Sequence, residues 1–370
     1  MRRGYLIMGI IIMSFNSLYQ YSWNAFEPLL KTGLDVSLVQ IEVAFTLFAI
    51  FSTGFQGIGG YFADKNGPRN IGVLSAILSA SGFIGTSFVH SLYLFYILWS
   101  IGSIGEGILY GIATNLGVKW FSGRRGFAVG FVSLGFGLGA AVANIFIVQA
   151  VSFRLPMLII GLAEIIILPA LLVLAKYPPS EKLTGLSTYK SMRNRRFWIL
   201  YISFILGAIP LIVVSASFGY LGKKLPLVEF ALLVSLFPLL SGVSRPILGY
   251  ISDLLGRIKV VFIIDIFLVI GSIFLILRMY IPAIVFIGFF GGAMISMYFS
   301  LVGDIFGSKF STANNGVFYT GKAISGFLGS TIFAALFIFD HEISFIFVLI
   351  ASMMAIFFLI AASPKKSSML

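Results

Sequence analysis

The sequence predicts an all-α integral membrane protein of about twelve transmembrane helices, arranged in two six-helix bundles. Three observations carry this reading. The chain of 370 residues is 59% hydrophobic and 10% charged, with a mean hydropathy of +1.05, whereas soluble domains are roughly 45–50% apolar and about 25% charged. Apolar stretches of about 20 residues recur along its length, each enough to cross about 30 Å of hydrocarbon as a helix. A sequence pattern also recurs at a fixed offset. The strict alternation of a membrane β-barrel is absent.

The expected spans fall near 5–29, 37–62, 70–89, 92–117, 126–149, 153–175, 197–220, 227–251, 260–277, 281–302, 314–338 and 342–362. The first is long and follows Met1-Arg2-Arg3, so it reads as a retained helix rather than a cleaved signal. The second and eighth end in related loops. The fourth holds Glu106 within SIGEGILYG, and the fifth carries a glycine run from Gly130 to Gly139 that suits close helix packing. Between the sixth and seventh, residues 176–196 hold Pro178, Pro179 and six basic side chains, the composition of a linker. The expected division is 1–175, linker 176–196, and 197–370.

The net charge of +12 would suggest nucleic acid in a soluble protein. Here the basic residues alternate between loops. With the N-terminus inside, inner loops and tails hold Arg2, Arg3, Lys65, Arg69, Lys119, Arg124, Arg125, Lys176, Lys182, Lys190, Arg193, Arg195, Arg196, Arg257, Lys259, Lys309, Lys365 and Lys366. Outer loops hold Lys31, Arg154, Lys223, Lys224 and Arg278. Eighteen against five places both termini in the cytoplasm by the positive-inside rule, and the membrane is the plasma membrane. There is no cysteine, and the two histidines, His90 and His341, fall in expected outer loops without ligand-like neighbours. No metal, cofactor, nucleic-acid partner or enzymatic activity is expected, and the chain is expected to work as a monomer.

The duplication is specific. GGYFADKNGPRN follows the second span and LGYISDLLGRIK the eighth. Gly60, Tyr61, Asp64 and Gly67 match Gly249, Tyr250, Asp253 and Gly256, each 189 residues on. Phe121 in KWFSGRRG and Phe310 in SKFSTANNG share that offset. The first glycine of each loop lets the helix end approach a neighbour, and the second allows a tight turn. The aspartate can meet a basic residue, such as Arg69 or Arg257, or a helix N-terminus of the other half. Parallel repeats of this kind suggest a transporter with a midplane site between its halves. The pattern resembles the signature loop of the major facilitator superfamily, which implies the two-bundle fold and alternating access. The first copy ends Pro68-Arg69-Asn70 and so lacks one usual charge.

A lysine or arginine at a helix centre costs about 2.5–3.5 kcal/mol on insertion scales, and two lie well inside expected spans: Arg245 in LSGVSRPILG and Lys322 in YTGKAISGFLG. Ser241 and Gly249 flank Arg245 at helical spacing; Ser325, Gly326 and Gly329 follow Lys322 on roughly its face. Among acids, Glu106 is the best placed, Glu27 lies near the outer end of the first span, and Glu164 is read as peripheral. Asp265 lies close to Arg257 and Lys259, which could satisfy it. The cations therefore outnumber their expected protein partners, and the missing negative charge is read as a substrate carboxylate. Arginine would grip it bidentately and lysine as a point charge. Pairing of each cation with a fixed carboxylate is the competing reading. Tyr319, three residues before Lys322, shares its face.

The runs NNGVFYTGKAISGFLG, GVKWFSGRRGFAVGFVSLGFGLGAA and YQYSWNAF resemble the bacterial oxalate/formate antiporter branch, akin to monocarboxylate transporters. That resemblance implies carboxylate binding by Arg245 and Lys322, with Gln20, Tyr21 and Trp23 lining the pocket. Monocarboxylate transporters usually place an aspartate where Ser241 stands. Where oxalate carriers have bulky aromatics, this chain has Gly291, Gly292 and Ile295, so a wider cavity is expected. Burial disfavours a charged carboxyl, so Glu106 could carry a co-transported proton, balance a cation, or be a hydrogen-bonded structural residue. Anion antiport and proton symport both stay open. Efflux of a lipophilic cation would need an acidic cavity, and a non-transporting sensor would not need both signature loops.

Overall fold

The computed structural model describes residues 2–121, 125–178, 185–222, 225–307 and 310–363. Arg124, Pro179, Lys182, Lys223, Lys224, Lys309, Lys365 and Lys366 lie outside them, as do the side chains of Arg2, Asp64 and Arg125.

Helices dominate, as the composition requires. In lipid each backbone polar group must be satisfied within its own segment. Among the described residues, eleven helices are long and apolar enough to cross a membrane. The first half contains α3 (Leu38–Asn66), α4 (Pro68–Ser87), α5 (Leu92–Trp120), α6 (Arg125–Ile147) and α7 (Arg154–Leu172). A short α8 (Thr188–Met192) lies between the halves, followed by α9 (Arg195–Leu221), α10 (Leu227–Leu255) and α11 (Arg257–Ile276). The tenth span is α12 (Tyr280–Phe286) and α13 (Gly292–Phe306), joined by a π-helical turn at Ile287–Gly291. The eleventh is α14 (Ser311–Tyr319), α15 (Gly321–Phe327), a second π-turn at Leu328–Ile332 and α16 (Phe333–Phe339). The chain closes with α17 (His341–Ala362).

The remaining expected span, the first, is not one helix. It divides into α1 (Arg2–Gln20) and α2 (Trp23–Leu34), with a break at Tyr21 and Ser22. No proline or glycine announces that break. It is tolerated because the Asn144 side chain from α6 donates to the Tyr21 carbonyl at 3.1 Å and to the Val234 carbonyl of α10 at 2.8 Å. One amide thus satisfies the broken helix and bridges both halves.

The halves meet along three helix pairs: α2 with α9, α3 with α15, and α6 with α10. The α6–α10 seam needs small residues. A Cβ added at Gly137 would stand 2.7 Å from the Gly242 Cα and 2.3 Å from the Pro238 carbonyl oxygen, so only glycine permits this approach. At one end, Asn24 joins α2 to α9 through the Val214 carbonyl at 2.7 Å and the Gly219 amide at 3.2 Å. Thr46 of α3 there meets Ser330 and Thr331, each at 2.8 Å. Towards the other end, a Cβ at Gly316 would lie 3.6 Å from the Gly57 Cα. Ahead of α8, the Leu186 amide donates to the Phe306 carbonyl of α13 at 2.8 Å.

The two signature loops turn alike. Gly67 between α3 and α4 has φ +86°, and Gly256 between α10 and α11 has φ +89°, a region costly to any side chain. The close approach expected at the first glycine of the second loop is not made. Gly249 has its nearest neighbour, the Met297 methyl, at 3.8 Å from an added Cβ, so no close approach depends on it. Gly60 is buried, and its neighbour Gly59 packs tightly against Ile108. Asp253 pairs within its own half, with Arg257 at 3.2 Å, and Arg257 also binds Asp304 at 2.6 Å. Arg69 is exposed. Arg257 therefore does not satisfy Asp265, which lies buried against Tyr298 (3.5 Å) with Oδ1 unpartnered.

Candidate functional site

Both intramembrane cations are enclosed. Arg245 of α10 is 4% exposed and Lys322 of α15 is 1% exposed. Among the described residues, neither has a carboxylate within ion-pair distance, 4.0 Å. Arg245 donates from Nε to the Gly292 carbonyl at 3.1 Å. Its guanidinium lies 5.2 Å from the centre of the Phe136 ring, on which Tyr21 and Tyr110 also pack. Lys322 donates from Nζ to the Tyr319 hydroxyl at 3.0 Å and sits 5.3 Å from the centre of the Phe48 ring.

Aromatic rings join the two cations into one site. Tyr110 stacks on Tyr319 at 5.7 Å and meets Phe136 edge-on at 5.6 Å. Tyr21 meets Phe136 at 5.2 Å and holds Ser241 through a 2.6 Å hydrogen bond. The cations come from the second half, whereas Tyr21, Phe48, Tyr110 and Phe136 come from the first. Ring faces and hydroxyls give each cation partial negative potential without cancelling its charge. Gln20 is buried beside the helix break, with Nε2 unpartnered. Trp23 turns elsewhere, donating to Glu42 Oε1 at 3.2 Å.

Glu106 lies in α5, one turn before Tyr110, which stacks on the Tyr319 that Lys322 binds. Ser52 donates to Glu106 Oε2 at 2.5 Å, and Asn16 donates to its backbone carbonyl at 2.9 Å. A Cβ at Gly107 would fall 1.9 Å from the Ser52 carbonyl oxygen, so the neighbouring glycine brings α5 close enough for the Ser52 bond.

Three expectations are overturned here. Acids do not run short: Glu27, Glu42, Glu106, Glu164 and Asp265 are all buried, against the two buried cations. Position, not number, leaves the cations without carboxylate contact. Glu164 is not peripheral but fully buried, with both carboxyl oxygens unpartnered. Gly161, one turn earlier, packs on α4 and marks that face as interior. Nor do the glycines of the tenth span widen the site. A Cβ at Gly292 would lie 2.4 Å from the Ser241 Cα, so that glycine draws α13 onto α10 and delivers its carbonyl to Arg245.

Comparison with known proteins agrees with this architecture. A family model described as Major Facilitator Superfamily matches residues 5–330 and 205–368. An uncharacterized 38 kDa protein encoded in a 23S RNA operon of Thermoproteus tenax is 44% identical over 333 residues, 90% of this chain and 88% of that one. The oxalate:formate antiporter of Oxalobacter formigenes is 32% identical over 358 residues, 90% of this chain and 84% of that one. In fold, a crystal structure of the nucleoside transporter NupG superposes with a TM-score of 0.73 at 13% identity, covering 97% of this chain and all of the other.

Proposed function

Since this chain belongs to the major facilitator superfamily and is a multi-pass membrane transporter, we propose that it carries small organic anions, mono- or dicarboxylates, by alternating access. The observation that carries the reading is the pair of enclosed cations, Arg245 and Lys322, without a carboxylate in contact. Buried charge is expensive unless paired. An anionic cargo supplies the pairing in the loaded state, with Arg245 as a bidentate donor and Lys322 as a point charge. Tyr319, Tyr21 and Gln20 complete the pocket. The name of the Oxalobacter formigenes relative, an oxalate:formate antiporter, supports the same substrate class.

Glu106 is the proton-coupling candidate, whether the carrier works as antiporter or symporter. The loops holding Gly60, Asp64, Gly67 and Arg69, and Gly249, Asp253, Gly256 and Arg257, gate the inner side. The halves are 1–175 and 197–370, joined by 176–196, in a monomer of the plasma membrane with both termini cytoplasmic. The test is uptake into proteoliposomes over a panel of mono- and dicarboxylates, with and without a pH gradient. Arg245→Gln and Lys322→Gln each abolish uptake while the protein stays folded. Carboxylate flux at the wild-type rate in both variants would sink the assignment.

A further inference from the structure

We propose that Glu106 is the fixed counter-charge of the cation pair and thereby sets the charge of the anion the site accepts: one negative charge when Glu106 is ionised, two when it is protonated. The proposal rests on the carboxylate reading above. Its basis is the charge inventory of the enclosed site. Arg245 and Lys322 contribute two positive charges. Glu106 is the buried carboxyl brought near Lys322 by two helices: Ser52, which binds it, lies one turn from Phe48, over which the ammonium sits, and Tyr110, one turn on in α5, stacks on Tyr319, the hydroxyl that takes the ammonium's hydrogen bond. Its Oε2 is engaged by the Ser52 hydroxyl, and neither oxygen is within ion-pair distance of the ammonium. It can therefore compensate charge while leaving the ammonium open to a substrate.

The surrounding groups leave that balance intact. From α3 comes the neutral Ser52, from α5 itself Tyr110, from α14 Tyr319 stacked on it, from α15 Lys322, from α10 Arg245 over the Phe136 ring that Tyr110 also meets, and from α1 Tyr19, whose hydroxyl donates to the Ser79 carbonyl. Among the described residues, Glu164 of α7 is a further buried carboxyl, with both oxygens unpartnered and neither within ion-pair distance of a cation. With Glu106 ionised the site carries +1, and a monoanion brings the enclosed state to neutrality. With Glu106 protonated the site carries +2, and a dianion does so. A neutral occluded state avoids both the cost of unpaired charge in a low-dielectric interior and electrical work against the membrane potential.

The experiment compares formate and acetate with oxalate and malonate in proteoliposomes at about pH 7.5, where all four are ionised. Wild type is expected to favour the monocarboxylates. Glu106→Gln is expected to raise the ratio of dicarboxylate to monocarboxylate uptake about tenfold or more, and Glu106→Asp to keep the wild-type ratio. Lys322→Gln alone leaves the site at zero and loses uptake. Combining it with Glu106→Gln restores +1 on Arg245, and monocarboxylate uptake returns in part. That rescue follows from charge and not from packing. In wild type, acidification should raise the oxalate-to-formate ratio; in Glu106→Gln it should not. If Glu106→Gln does not fold, the wild-type acid response decides alone. An unchanged ratio in folded Glu106→Gln, a double variant no better than Lys322→Gln, or a flat acid response overturns the proposal. Failure of wild type to take up any carboxylate overturns instead the carboxylate reading beneath it.

Discussion

Arg245 shows why a guanidinium stands in α10 rather than any cation. Its Nε is committed to the Gly292 carbonyl and its guanidinium lies over the Phe136 ring. Lysine has no planar fork to meet these directions together. Arg245→Lys should therefore keep charge and fold but raise the KM for carboxylate at least about tenfold, as a lost bidentate contact does. Uptake kinetics beside a thermal melt separate this from unfolding. A melt matching wild type with an unchanged KM would remove the bidentate role. Both cations stood out in the sequence because charge inside an apolar span is costly enough to need a reason. Phe48 and Phe136 did not, since 39 phenylalanines share one chemistry whether they face lipid, core or site. Glu42 did not stand out and Glu164 was misjudged for a related reason. In a helix apolar on all sides, composition does not reveal which face is turned inward.

At the scale of elements, periodicity located the spans well, because twenty apolar residues have few other uses. It did not reveal the division of the first span at Tyr21 and Ser22, since the cause lies in another helix. Asn144 makes the exposed carbonyl affordable. The same amide reaches Val234, so the site's floor and the α6–α10 seam depend on one side chain. Asn144→Ala leaves two carbonyls unsatisfied in a buried setting, at about 1–3 kcal/mol each. The expected result is a lower unfolding midpoint in detergent together with weakened carboxylate binding, because Tyr21 loses its anchor. Unchanged stability would mean that water or backbone relaxation replaces the amide. The π-turns at Ile287–Gly291 and Leu328–Ile332 belong here too: each interrupts a span beside a residue that touches the opposite half or a cation.

At the scale of the whole molecule, the contacts between halves lie on both sides of the cations, so cargo must cross by opening one end at a time. The duplication was legible because a turn that needs positive φ can be written in few ways, and Gly67 and Gly256 repeat it. The surfaces on which the halves meet were not, since they join residues 284 positions apart, such as Thr46 and Ser330. That pair offers a direct test of rocking. Its hydroxyl oxygens are 2.8 Å apart across α3 and the π-turn of the eleventh span. The chain contains no cysteine, so Thr46→Cys with Ser330→Cys introduces the only thiols. Oxidation should form a disulfide that holds this end shut, stopping uptake in proteoliposomes, and a reductant should restore it. Each single cysteine variant should be insensitive to both treatments. Because the contacts near Gly57 and Gly316 are left free to part, the block would come from loss of alternation rather than from freezing the molecule. Full transport by the cross-linked protein would show that the halves need not separate at this end, and rocking about the site would be excluded.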